Sequence, residues 1–437
     1  MYRTPGVYRE EIVTVPERKL QTGVPAFLGL TVDRTDAGEA VPVNEPLRLF
    51  RGSEFEVQFG PPLANGYLAD AVRGFFANSP RPCYVVRLRD NSQDSLEAGL
   101  ASLEAIEDLD LICVPDLARP LVLSLDRVQN AIDNSDPDFQ IQRLTQEALA
   151  VRRDVVRWQQ LVLDRCARSG DRFAILDSLP RPHLLASLAE ATEADSFSPQ
   201  DLRERLQNAD PLQPLLEQRQ QLFGANGALY GSWLDTGKRN ADGRTVWVSP
   251  CGHVAGVFAR SDERFGVHKA PANEELEGAA DVEVDFNTRQ SDRLNPENIN
   301  ALRSIPGRGI RIWGARTLSR DANWTYTNVR RLFLTVGRWA EQNLAAMVFE
   351  PHDGRLWNRI RRELGGYLNH LFQQGALKGN APQEGFFVKC DAETNPPEVR
   401  ETGNVVVEVG LAPLQPSEFI IVRLVRSESG LALNGEE

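Results

Sequence analysis

No stretch of this chain approaches the roughly 20 consecutive apolar residues that span a bilayer, so direct membrane insertion is not expected. The opening residues Met1-Tyr2-Arg3-Thr4-Pro5-Gly6 lack the apolar segment of a secretory signal, and cytosolic synthesis and assembly are expected. Cysteine is sparse and odd in number: Cys83, Cys113, Cys166, Cys251 and Cys390 are scattered, with no Cys-x-x-Cys pair. Such a set points to reduced thiols buried as small hydrophobes. Positive charge is short: 49 Lys and Arg face 61 Asp and Glu, for a net charge of -12. That balance disfavours nucleic acid as a whole-surface partner, and it suits a chain that must stay soluble before it assembles. The phosphate-cradling GxxxxGK[ST], the metal-binding HExxH and the nucleophile elbow GxSxG are all absent. Gly307-Arg308-Gly309 lacks the third glycine of a dinucleotide fingerprint and precedes a strand rather than opening a helix. No cofactor is therefore expected. Internal repeats and low-complexity segments are also missing.

The chain has 437 residues, too many for one ordinary core, and two or three domains are expected. Val7 to Val15 alternates with a period of two, yet neither face is fully apolar, so this strand needs a partner edge outside its own core. Runs at 26–31, 83–88 and 109–114 read as strands, with helices at 65–78 and 95–106 between them. That alternation argues for an α/β layer. A long helix is expected over 143–167 and a strand over 172–177. The polar stretch 184–221 reads as mostly helical, with Ser198-Pro199 as a helix start. A strand follows over 228–234, and the Gly- and Asp-rich piece 235–243 reads as a loop. Beyond Asn295 the composition changes. Ile310 to Trp313 reads as a strand, and 328–347 as a helix with Val329, Leu332, Phe333, Val336, Ala340, Leu344 and Met347 on one face. Asp353 reads as the N-cap of a second helix reaching about Gln374, with Leu356, Ile360, Leu364, Leu368 and Leu371 as its apolar stripe. Strands are expected over 385–390 and 404–409. A last one over 418–425 carries β-branched residues on both faces, a pattern usual for a strand covered on both sides.

Two groups of side chains could carry function. Cys251, His253, Asp262 and His268 offer a Cys-x-His metal pair, or a nucleophile and base. Structural zinc sites usually show two spaced pairs, and only one is visible here, so a structural role is the favoured reading. The second group is basic. From Asn328 to Lys378 there are eight Lys or Arg (Arg330, Arg331, Arg338, Arg355, Arg359, Arg361, Arg362, Lys378) and four acids (Glu341, Glu350, Asp353, Glu363), a local excess of +4. Arg355, Arg359 and Arg362 share one helical stripe, and Arg355 sits in the first turn, where the helix dipole opposes a cation. A solvated face and a contact surface for an acidic partner are both compatible with this pattern.

An ordered series of segments resembles a known family. Gly309-Ile310-Arg311-Ile312-Trp313-Gly314-Ala315-Arg316-Thr317-Leu318 is similar to the signature segment of contractile tail sheath proteins, the polymers that encase phage tails and related injection devices. It is followed, in that family's order, by Trp324 to Arg331, Val348-Phe349-Glu350-Pro351, Leu356-Trp357, Gly375 to Gly379, and Ala412 to Phe419. Upstream, Thr4-Pro5-Gly6-Val7-Tyr8 resembles the family's opening. Ser249 to Gly256 resembles the loop before its inner domain, and Gly266 to Asn273 another loop. No motif is recognised over 118–142 or 182–221.

The resemblance implies a mixed α+β and α/β multidomain fold. Residues 1–24 would form an N-terminal arm joining the inner domain. An outer α/β domain would span 25–294, with a poorly matched helical stretch around 118–222. The inner, tube-facing domain would span 295–416, and a C-terminal arm strand and tail 417–437. It also implies a structural subunit, not an enzyme, that polymerises with itself as stacked sixfold rings around an inner tube protein. Baseplate and terminal cap proteins would be its other partners, and contraction would drive the tube through a target envelope. Val7, Tyr8, Ile12, Val13, Phe419, Ile420, Ile421 and Val422 are the candidates for strand exchange between subunits. Arg355, Arg359 and Arg362 are the candidates for facing the tube. Two rival readings remain open: a tube or capsid-like polymer that does not contract, and a hydrolase using Cys251, His253 and Asp262.

Overall fold

A computed structural model describes residues 20–192, 198–240, 243–418, 424–427 and 430–433. Its centre is an eight-stranded sheet. In chain order the strands are β1 (Pro25–Gly29), β2 (Leu47–Leu49), β3 (Cys83–Arg87), β4 (Leu111–Cys113), β5 (Phe173–Asp177), β6 (Gly227–Gly231), β7 (Ile299–Ile305) and β8 (Gly309–Trp313). They lie side by side as β8-β7-β6-β5-β4-β1-β3-β2. The six inner strands are parallel. β8 and β2 close the two edges antiparallel. Parallel strands need both faces covered, and successive side chains supply both. Ala26, Leu28, Val86, Ala174, Leu176 and Leu229 face one core. Phe27, Val85, Phe173, Ile175, Ala228 and Tyr230 face the other.

The first core is covered by α2 (Arg119–Asp133) and the 32-residue α3 (Asp138–Ser169), which ends where Gly170 takes φ +75°. Three shorter helices, Pro182–Thr192, Pro199–Asn208 and Leu212–Gln220, complete that layer. Ser198 opens the second of them with a reciprocal capping box to Asp201. The stretches where no motif was recognised thus build one wall of the large domain.

The other core is covered by α1 (Leu68–Asn78) crossing α4 (Cys251–Phe265). The loop expected over 249–256 is instead the start of α4. Its glycines make a close helix crossing possible. A Cβ added at Gly252 would lie 2.0 Å from the Ala71 carbonyl oxygen, and one at Gly256 would lie 2.6 Å from Asn78 Cβ. The loop expected over 235–243 is also largely a strand. Leu234–Arg239 pairs antiparallel with Thr245–Val248 and with Asp281–Val282, while Asp235 and Arg239 form a two-pronged ion pair.

The C-terminal unit carries α5 (Thr327–Leu344), α6 (Gly354–Gln373) and the antiparallel strands β9 (Phe386–Lys389) and β10 (Glu408–Leu411). Asp353 caps α6 by accepting the Arg355 and Leu356 amides at 2.8 and 3.2 Å. All five residues of its expected stripe are buried. Leu332, Val336, Leu368 and Leu371 pack together, while Leu356, Ile360 and Leu364 meet Met347 and Cys390. β7 and β8, which a boundary at residue 295 assigns to the tube-facing domain, complete the large sheet. At the end of the described chain, Leu424–Ser427 pairs with Gly430–Leu433 as a hairpin.

Candidate functional site

The residues of the cysteine and histidine cluster are packed at separate places. Cys251 and His253 are two residues apart on α4 and so project to different sides of the helix. The Cys251 thiol is buried at 3.2 Å from Ser249 Oγ, and burial holds its pKa well above the ordinary thiol value. Ser249 in turn donates to the buried Asp177 carboxylate, whose pKa burial raises to about 7. His253 lies against Gly74 of α1, and burial lowers its pKa to about 4. His268 is half-buried, and its pKa too is lowered by desolvation. No group of three His, Cys, Asp or Glu able to hold a metal occurs among the described residues.

Asp262 serves a different purpose. It forms the buried centre of a joint between the large domain and α5. Arg331 donates to both Asp262 oxygens at 2.9 and 2.5 Å and to Asp110 at 3.0 Å, with its guanidinium 5.0 Å from the centre of the Phe258 ring. Burial works against the Arg331 charge, but the two carboxylates outweigh it and hold its pKa above the ordinary arginine value. Burial raises the Asp262 pKa against the pull of Arg331. The same Asp110 carboxylate accepts the amides of Gly23 and Val24 at 3.0 and 2.7 Å. Arg338, two turns further along α5, donates to the carbonyls of Leu109 and Gln21, and Arg81 donates to that of Thr22. The chain leading out of the N-terminal segment is thus held between the sheet and α5. Sequence reasoning counted Arg331 and Arg338 with the exposed basic residues, whereas both are 2% exposed. Their spacing of seven matches the buried side of a helix, but only tertiary contacts reveal the carboxylates that neutralise them.

The residues expected to exchange strands, Val7, Tyr8, Ile12, Val13 and Phe419 to Val422, lie outside the described residues. The described part shows what such strands could join. β9 and β10 pair only with each other, so among the described residues each has an open outer edge. Edges of this kind template further strands unless covered.

Arg355, Arg359 and Arg362 are all exposed on α6, opposite its buried stripe. Arg359 pairs with Glu350, and Arg362 lies 3.2 Å from Glu363. Arg355 has no ion-pair partner among the described residues. Nearby, Val348 and Phe349 are also exposed, and Phe349 takes φ +72°.

Comparison with known proteins gives this geometry a setting. The phage tail sheath protein central domain matches residues 218–318, and the phage tail sheath C-terminal domain matches 319–426. The tail sheath protein of Vibrio phage KVP40 is 25% identical over 190 residues, covering 43% of this chain and 27% of that protein. That of Salmonella phage ViI is 29% identical over 175 residues, covering 38% of this chain and 26% of that protein. The match thus spans about a quarter of the length of these phage relatives. The helical sheath of the anti-feeding prophage in its contracted state is 25% identical, with a TM-score of 0.66 over 98% of this chain and 100% of that one. The contracted sheath complex of the PVC extracellular contractile injection system shares the fold at 22% identity. Its TM-score is 0.64, over 98% and 99% of the two chains. By its matched central and C-terminal domains, and by a fold shared along nearly its whole length, this chain belongs to the contractile tail sheath protein family.

Proposed function

We propose that the chain is the structural subunit of a contractile sheath. Subunits stack as sixfold rings around an inner tube, and their rearrangement drives the tube through a target envelope. The observation that carries this reading is the near full-length likeness to the sheath of a contractile device, together with the open edges of β9 and β10. Strands from the N- and C-terminal arms of neighbouring subunits would pair with those edges. Main-chain hydrogen bonds of that kind can persist while the bodies rotate. Residues 1–24 and 417–437 would be the arms. The C-terminal unit within 295–416 would face the tube, and the α/β body within 25–294 would project outwards. Baseplate and cap proteins would be the partners at the two ends. No nucleotide is required, because the energy is stored in the assembled lattice and released between two packings.

Purified protein viewed by negative-stain electron microscopy tests the reading. Open cylinders are expected, because head-to-tail contacts generate rings or helices. A strictly monomeric or two-fold dimeric species across concentration and salt would overturn it. Cylinders of a single length and diameter, with and without tube and baseplate, would instead favour a non-contractile polymer.

A further inference from the structure

We infer that Arg316 is a positioning residue for assembly: its pair with Glu418 fixes the point on the large sheet from which the C-terminal segment departs. The inference rests on the sheath reading for its purpose, and on four observations for its geometry.

The first is convergence. Arg316 and Glu418 are 102 residues apart, in two separate segments singled out in the sequence, yet Arg316 Nε donates to Glu418 Oε1 at 3.0 Å and Nη2 to Oε2 at 2.5 Å. This two-pronged geometry fixes direction as well as distance. The second is the seat of Arg316. Asn300 on β7 is fully buried and accepts the Arg316 amide at 2.7 Å, while its own amide donates to the carbonyls of Arg316 and Leu229 at 2.8 and 3.1 Å. Gly314 is required beside it, since a Cβ there would lie 2.7 Å from Asn300 Oδ1. Arg316 is therefore part of the large sheet's framework.

The third is the route of the chain after β10. The Leu414 amide donates to the Ala376 carbonyl at 3.3 Å, and Asn328 donates to the Leu414 carbonyl at 3.1 Å. These contacts belong to the C-terminal unit. Within four residues Glu418 is bound to the sheet's framework instead. Chain leaving at 419 thus departs from the large domain and not from the β9–β10 sheet. The fourth is the parallel at the other end. There Asp110 accepts the backbone amides of Gly23 and Val24, and Arg338 donates to the backbone carbonyl of Gln21. Both roots are held by charged side chains, so an arm that bridges to a neighbour would start from a fixed place and heading.

The test uses the full chain and compares wild type, Glu418→Gln and the exchanged pair Arg316→Glu/Glu418→Arg. Three properties are measured: thermal melting of the unassembled chain, the protein concentration at which cylinders first form, and the rate of chymotryptic cleavage after Phe419 in unassembled protein. The Glu418→Gln chain is expected to melt as wild type, to need about tenfold more protein to form cylinders, and to be cleaved about tenfold faster. The exchanged pair is expected to move both the assembly concentration and the cleavage rate back towards wild type. Equal assembly and equal cleavage in Glu418→Gln overturn the inference. So does a fall in melting temperature that assembly loss merely follows, since the pair would then only hold the fold. Should wild type form no cylinders at all, the sheath reading falls, while faster cleavage after Phe419 in Glu418→Gln still upholds the clamp and unchanged cleavage still refutes it.

Discussion

Replacing Arg331 by Met tests the joint between the large domain and α5. The substitution keeps the aliphatic contact with Phe258 but removes the donors to Asp262 and Asp110. Taking one partner from a buried ion pair typically costs about 3–5 kcal/mol, because the remaining charge is left in low dielectric. Two carboxylates lose a donor here. Asp110 keeps the Gly23 and Val24 amides, so most of the penalty falls on Asp262. A loss of about 3–5 kcal/mol at neutral pH is therefore expected. It would be read from urea unfolding followed by tryptophan fluorescence, with the several domains fitted separately. The pH dependence has a definite sign. Without Arg331, only the Thr22 side chain still opposes the burial that raises the Asp262 pKa in the folded state. The native state then holds a proton that the unfolded state has released, so the deficit is largest at high pH. It should shrink as pH falls through the raised folded value and vanish below about 4, the unfolded aspartate range. The double change Arg331→Met/Asp262→Leu removes charge and partner together and should recover part of the loss. A single variant that costs under about 1 kcal/mol, or a double variant no better than the single, would refute the charge-balance account.

Asp177 carries a raised folded pKa of about 7, caused by burial. Native stability should therefore decline as pH rises from about 4 to 7, and Asp177→Asn should flatten that decline in urea midpoints measured across the range. Changing Arg355, Arg359 and Arg362 together to Glu should leave the unfolding midpoint nearly unchanged, since exposed pairs are worth only about 0.2–1 kcal/mol each. If the stripe meets acidic groups on the tube, the ratio of extended, tube-filled particles to contracted, empty ones should fall in electron micrographs. An unchanged ratio would make it an ordinary solvated face. Deleting residues 1–15, or ending the chain before Phe419, should preserve the circular dichroism and melting of the α/β body while abolishing cylinders. Wild-type cylinders from either truncation would place the linkage between subunits elsewhere.

Much of the secondary structure was legible because it depends on local pattern. Short apolar runs placed β1, β3, β4 and β5, the helical spacing of apolar residues placed the buried stripe of α6, and Asp353 announced its cap. The two misread loops failed for local reasons that only packing resolves. A run rich in Gly and Asp matches turn chemistry until Arg239 and neighbouring strands fix it as a hairpin. Ser249 to Gly256 looks like a loop until α1 supplies the surface that its glycines need.

The sequence by itself determined the family, the α/β alternation and the absence of familiar cofactor motifs, because each is written in ordered segments or short periodicities. Tertiary structure alone decided the roles of the charges. Arg331 and Asp262 became a buried joint, Arg316 and Glu418 an ion pair between distant segments, and Cys251 and His253 buried packing. Whether a charged side chain is solvated or buried depends on partners 69 or 102 residues away, and no local pattern encodes that proximity.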